Sequence, residues 1–246
     1  MSDSIIRYQV DKTPSPLRTE AELRAEIAQI CRMMWQRGYV AANDGNVTAR
    51  LDGDRFLCTP SGLSKGLVEP DQIVIVDWEG NLVDAHPQSK RPTSEILLHL
   101  EAYRQRPDVK GVVHAHPPMA IALSTAGISL AHTMIPDVVL GLGLIPTVVY
   151  ATPASVEGAD SIREVVRSAD AMVLPRHGSV TVGGSPLEAY YKLEKLEQTA
   201  LITGQIHALG GAASLDGQEI EKLIGWRNVQ GVMHPGQEEM IRRASS

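Results

Sequence analysis

The chain has 246 residues, 43% of them hydrophobic and 21% charged, with a formal net charge of −6 at pH 7. That length can bury one sizeable core, and the composition is ordinary for a globular protein in water. The scattered basic residues exclude the electrostatic footprint of a nucleic-acid binder. The start MSDSIIRYQV holds no leader-like apolar core, and the apolar stretch around Ile135 to Tyr150 is broken by Pro and Gly, so neither secretion nor membrane insertion is expected.

Residues 1–18 read as a polar N-terminal arm. Thr19 and Glu22 then form a capping box, and Leu23, Ile27, Ile30 and Met34 put one apolar stripe on the helix that follows, which Gly38 stops. Strands are expected over Asn46–Leu51, Arg55–Thr59 and Ile73–Trp78, with Asp52-Gly53-Asp54 turning between the first two, and a short extended piece at Leu82–Val83. A helix runs from Ser94 to about Arg104. Val109–His114 is apolar apart from Lys110 and its terminal His114, hence a buried strand. Helical patterns follow over Pro118–Thr125 and Val156–Ser168, and extended ones over Thr147–Tyr150 and Ala171–Leu174. Pro186 opens the longest helix, which Gly210-Gly211 ends, and a short helix from about Gln218 to Arg227 precedes a polar tail. The mixture predicts one α/β catalytic domain over residues 19–228, a central sheet flanked by helices, and a tail over 229–246. Cys31 and Cys58 lie on a helix and a strand outside any CxxC pair, which reads as two buried, reduced thiols of a cytoplasmic protein.

The chemistry concentrates in a few segments. His114 and His116 stand two apart at the end of a buried strand, so both imidazoles face one side. Imidazole suits zinc and neighbouring transition metals, although an isolated HxH also occurs as a plain polar strand end. His177 follows another short apolar strand, and Gly178 after it frees the backbone locally. Three histidines would leave an open position on zinc, as in catalytic sites. Glu95 sits at a helix entry, where a carboxylate also serves the helix dipole. Thr59-Pro60-Ser61-Gly62, Asn43-Asp44-Gly45-Asn46 and Thr93-Ser94 are turn or helix-start sequences able to cradle an anion, though turns in general use the same residues.

Taken in order, Gly45-Asn46-Val47-Thr48, Thr59-Pro60-Ser61-Gly62, Thr93-Ser94-Glu95, His114-Ala115-His116-Pro117, Tyr150-Ala151-Thr152-Pro153, Arg176-His177-Gly178 and Leu187-Glu188-Ala189-Tyr190 resemble the class II aldolase/adducin family over roughly residues 19–210. The resemblance implies a single three-layer α/β domain around a mainly antiparallel sheet, assembled as a homotetramer with sites between subunits. It implies that His114, His116 and His177 bind a divalent metal, Zn2+ or another transition ion such as Mn2+ or Co2+. Glu95 would be the acid/base, and in some resting enzymes also a fourth ligand. Asn46, Ser61, Gly62, Thr93 and Ser94 would hold the phosphate of a small sugar substrate.

The implied reaction is aldol cleavage or formation in a ketose phosphate of the L-fuculose 1-phosphate type, giving dihydroxyacetone phosphate and an aldehyde. A Lewis-acidic metal would lower the energy of the enediolate, and a carboxylate tuned up by burial or down by the metal would shuttle the proton. The family's epimerase branch typically carries Asp where Glu95 stands, and its structural adducin branch lacks the full metal set. One departure matters: an aldolase tyrosine that protonates the aldehyde oxygen is replaced by Thr133, leaving His132, Tyr150 or a tail residue as candidate donors. Decarboxylation of a phosphorylated 3-keto acid, dehydration of methylthioribulose phosphate and epimerisation of a pentulose phosphate are the sibling reactions.

Overall fold

The computed structural model describes residues 18–84, 91–132 and 134–245. The arm expected over 1–18 lies, apart from Arg18, outside them. Helix α1 spans Glu20–Gln36, and its N-cap Thr19 forms the capping box expected with Glu22. Seven strands follow: β1 Asn46–Arg50, β2 Phe56–Cys58, β3 Val74–Val76, β4 Leu82–Asp84, β5 Gly111–Ala115, β6 Ala171–Leu174 and β7 Gly178–Gly183. They make one sheet in the order β4-β3-β2-β1-β5-β7-β6, and every neighbouring pair is antiparallel. The remaining helices are α2 Ile96–Gln105, α3 Pro118–Thr125, α4 Pro136–Leu142, α5 Val156–Ser161, α6 Pro186–Ala208, α7 Gly217–Gln230 and α8 Gln237–Ser245.

Alternation along the strands sorts the core into two layers. Val47, Ala49, Leu57, Ile75, Val113 and Ala115 pack against α1 and α6. Phe56, Cys58, Val74, Val76, Val112, Val180 and Val182 pack on the other face against α2 and the residues around α5. The result is helices, sheet, helices, with the sheet buried on both faces. Because β5 has neighbours on both edges and helices on both faces, its residues are all buried, which is why its sequence is apolar save for His114. Among the described residues no helix is long and apolar enough to cross a membrane.

Three elements differ from the sequence expectation. β7 is central to the sheet yet was not expected, because its Gly-Ser and Gly ends resemble loop sequence. The apolar stretch from Ile135 holds α4. The region expected as one helix over 156–168 divides into α5 and a single 3-10 turn at Val165–Arg167.

The segment after residue 228, expected as a tail, includes α8, whose Ile241 is buried with Val139, Ile220 and Ile224. Arg227 is 2% exposed. It donates to the carbonyls of Val139, Leu140 and Val232 and to Gln237 Oε1, while Gln237 donates to Leu142 O. One guanidinium and one amide thus satisfy the carbonyls that end α4, and hold α7 and α8 to it. Replacing Arg227 by Leu removes these hydrogen bonds from the Leu140 and Val232 carbonyls and from Gln237, and leaves Val139 O only its bond from Gly143 N. It is expected to lower unfolding free energy by about 2–4 kcal/mol, read as a fall in the urea midpoint.

Candidate metal centre

The sheet register assembles the site. Asn46 of β1 lies opposite His114 of β5, and His114 opposite Val180 of β7. β6 and β7 form a hairpin closed at Leu174 and Gly178, so Pro175, Arg176 and His177 are its three-residue loop. Arg176 takes the left-handed conformation, φ +63°, and His177 N donates back to Leu174 O. That turn brings His177 over the end of β5.

Gly178 serves this arrangement by closeness rather than by backbone freedom. A Cβ there would sit 2.2 Å from Ala115 O and 3.0 Å from His116 Cδ2. Gly45 is required twice over: its φ is +71°, and a Cβ would lie 2.5 Å from Val40 and 3.0 Å from His114 O.

Glu95 is the N-cap residue of α2, but its side chain makes no capping hydrogen bond. It turns instead to the histidines. Oε2 is 3.0 Å from His114 Nε2 and Oε1 is 3.3 Å from His177 Nε2. His114 Nε2 and His116 Nε2 are 3.0 Å apart. One ligand atom from each of Glu95, His114, His116 and His177 lies within 4.8 Å of all the others.

The outer contacts fix what these nitrogens present. His114 Nδ1 is 2.9 Å from Ser179 O, and a carbonyl only accepts, so Nδ1 carries the hydrogen and Nε2 the lone pair. His116 Nδ1 is 3.3 Å from Asp44 Oδ2, which orients that ring the same way. Two bare ring nitrogens and a carboxylate oxygen therefore face each other at about 3 Å. A cation between them turns this repulsion into attraction. Ligand atoms on a tetrahedral zinc ion are separated by about 3.3 Å, so the donor set fits such an ion in number, chemistry and spacing.

The protonation states agree. Burial pushes His177 down to about 4, with His114 adding to the effect. His116 is lowered by burial and by His114. Burial would raise Glu95, but His114, His177 and the Asn46 amide outweigh it and hold the carboxyl well below its usual range. His116 and His177 are thus held towards their neutral forms and Glu95 towards its ionised form.

The expected anion-binding segments also meet. Pro60 and Pro92 form an isolated antiparallel bridge, Ser61 N donates to Arg91 O and Thr93 N to Thr59 O. Ser61 and Gly62 are thereby held beside Thr93 and Ser94. Gly62 has φ +76° and open space around it. Lys65, 1% exposed, lies beneath and donates to Asn43 O and Leu63 O, tying the first two loops together. Asn46, expected at the phosphate, has both ends of its amide engaged, by Glu95 and by His99.

Lys65 and His99 were not singled out from sequence, and Asp44, expected in an anion-cradling turn, contacts His116 instead. Only His99 left a signal, since it follows Glu95 at helical i, i+4 spacing. Thr133 lies outside the described residues, and His132 is exposed. A small, largely apolar cleft opens beside Glu95 and His177, walled by Leu98, Val148, Ala151, Leu174 and Pro175.

Comparison with known proteins gives a consistent set. The family model described as Class II Aldolase and Adducin N-terminal domain matches residues 25–203. An L-fuculose phosphate aldolase of Methanococcus maripaludis is 35% identical over 175 residues, covering 71% of this chain and 92% of its own. A 3-oxo-tetronate 4-phosphate decarboxylase of Escherichia coli is 33% identical over 187 residues, covering 74% and 86%. The crystal structure of YgbL from Escherichia coli superposes with a TM-score of 0.74 at 32% identity, over 84% of this chain and 99% of that one.

The buried imidazoles set a pH dependence of stability. His99 is pushed down to about 3 by burial and by His114, and His177 to about 4, both below the ordinary 6.5. As pH falls below about 6.5 the unfolded chain takes up protons that the folded chain refuses. The metal-free protein is expected to keep this stability above about pH 7 and lose it progressively between about pH 6.5 and 4. Thermal melts of chelator-treated protein check the sign; a melting temperature that rises on acidification in this window contradicts it.

Proposed function

This chain belongs to the class II aldolase and adducin family, and on that premise we propose that it is a divalent-metal aldolase acting on a small ketose phosphate. The observation that carries the proposal is the Glu95 carboxylate, ionised and pointed at three converging imidazole Nε2 atoms. His114, His116 and His177 would hold the ion, zinc being the one that three imidazoles and an open position suit best, with Glu95 as a fourth ligand at rest. Such an ion supplies a Lewis acid for the substrate's carbonyl and adjacent hydroxyl oxygens.

The chain's own residues supply the rest. Glu95 Oε1, the oxygen not held by Asn46, takes the proton from the carbon beside the ketone in the condensation direction and returns it in cleavage. Ser61, Gly62, Thr93 and Ser94 anchor the phosphate, and binding energy spent there orients the reacting carbons. The buried Lys65 ammonium places positive charge behind that anchor. Tyr150 and His132 are both exposed, and Tyr150 does not wall the cleft although its neighbours Val149 and Ala151 do, so both stand as candidate donors to the aldehyde oxygen. Exposed apolar residues such as Tyr150, Val149, Tyr191 and Leu67 support an assembly, a homotetramer with shared sites.

A second reading has a specific observation in its favour. Similarity to 3-oxo-tetronate 4-phosphate decarboxylases supports loss of carbon dioxide from a phosphorylated keto acid at the same centre. The electron pair left behind is the same in both reactions, so Glu95 would protonate it in either.

A product panel decides between them: metal-loaded protein with dihydroxyacetone phosphate plus short aldehydes, and separately with phosphorylated 3-keto acids. The expected result is a new carbon–carbon bond, and Glu95→Gln is expected to keep its metal while losing about 100-fold or more in turnover. Carbon dioxide release alone selects the decarboxylase. Full activity in Glu95→Gln removes Glu95 from the mechanism.

A further inference from the structure

Behind Glu95 a line of hydrogen bonds runs into the core. Asn46 Nδ2 is 3.1 Å from Glu95 Oε2, and His99 Nε2 is 2.5 Å from Asn46 Oδ1. His99 Nδ1 is 2.9 Å from Thr48 Oγ1, which is 2.8 Å from the Tyr103 hydroxyl. Asn46, Thr48, His99 and Tyr103 are each at most 3% exposed, so no water competes for these bonds.

We infer that His99 is a positioning residue for Glu95: it fixes the Asn46 amide with its NH2 group towards the carboxylate, and Thr48 and Tyr103 fix His99. The direction of every bond follows from the chemistry of the groups. Glu95 as a carboxylate only accepts, so Asn46 must present Nδ2 to it and Oδ1 to His99. A carbonyl oxygen only accepts, so His99 Nε2 carries the hydrogen. The neutral ring then has a bare Nδ1, which takes the Thr48 hydroxyl hydrogen, and the Tyr103 hydroxyl donates to Thr48. Burial keeps the ring in this neutral form.

The opposite tautomer reverses the chain. With the hydrogen on Nδ1, His99 Nε2 would accept, Asn46 would turn its NH2 inward, and its carbonyl oxygen would face the Glu95 carboxylate. That places two acceptors against each other in a buried site, at a cost comparable to a buried unsatisfied group. An amide is nearly symmetric in shape, so packing alone does not choose its orientation; His99 does. The consequence for function is that Oε2 is held and Oε1 is left as the proton-carrying oxygen. This inference rests on Glu95 as the acid/base.

The test uses the full-length, metal-loaded chain as wild type, His99→Leu and His99→Gln. In the wild type, imidazole 15N shifts of His99 are expected to report hydrogen on Nε2 and none on Nδ1. His99→Leu is expected to lose about 10- to 100-fold in kcat with bound metal and KM little changed. His99→Gln, whose amide offers both a donor and an acceptor, is expected to recover most of that loss. A merely structural histidine would lower stability in both variants without this split or this rescue. Hydrogen on Nδ1, an unchanged kcat in His99→Leu, or His99→Gln as impaired as His99→Leu overturns the inference. If His99→Leu does not fold, the tautomer and the His99→Gln variant decide. If the wild type turns over no substrate in the panel, the proposed reaction fails, and the tautomer alone decides the order of the hydrogen bonds.

Discussion

Bringing bare imidazole nitrogens and a carboxylate oxygen to about 3 Å of one another is unfavourable unless something positive sits among them. Much of the surrounding fold enforces that crowding. The antiparallel register sets Asn46 beside His114, the β6–β7 hairpin swings His177 over the end of β5, and the first turn of α2 delivers Glu95 from the layer above the sheet. No residue of the four is close to all the others in sequence. The crowding is a product of topology, and it is why a single antiparallel sheet with helices on both faces can carry this chemistry.

Orientation is settled one layer further out. Ser179 O and Asp44 turn the rings of His114 and His116 so that lone pairs point inward, and Asn46 turns Glu95. Burial does the complementary work of favouring the neutral forms of His116 and His177, and the polar neighbours of Glu95 keep it charged despite its burial. A metal site and a general base both need donors free of protons, and here one set of neighbours provides them.

Much of this was legible from sequence, for identifiable reasons. The HxH pair at the end of a buried apolar run, the His-Gly after a second run and the Glu at a helix start each have a periodicity or a boundary that marks them. α1 was marked by its capping box and α6 by its opening proline. What escaped depends on contacts that sequence does not encode locally. β7 looked like a loop because glycine and serine open it, yet Gly178 is there because β5 and His116 come too close for a Cβ. α4 lies in an apolar stretch whose partners, Arg227 and Gln237, stand some ninety residues on. The Ser179 carbonyl is main chain and has no sequence signature at all, and His99 could have been suspected only from its i, i+4 relation to Glu95.

The account turns on a single ion shared by residues from four parts of the chain. Cobalt(II) titration of the metal-free protein, followed by its visible absorption, tests this most directly, with His177→Ala as the comparison. The expected result is one tight equivalent per chain with the intense bands of a low-coordinate ion, weakened about 100-fold or more in the variant. An absence of uptake, or equal affinity in His177→Ala, would contradict the centre described here and leave the fold without its chemistry.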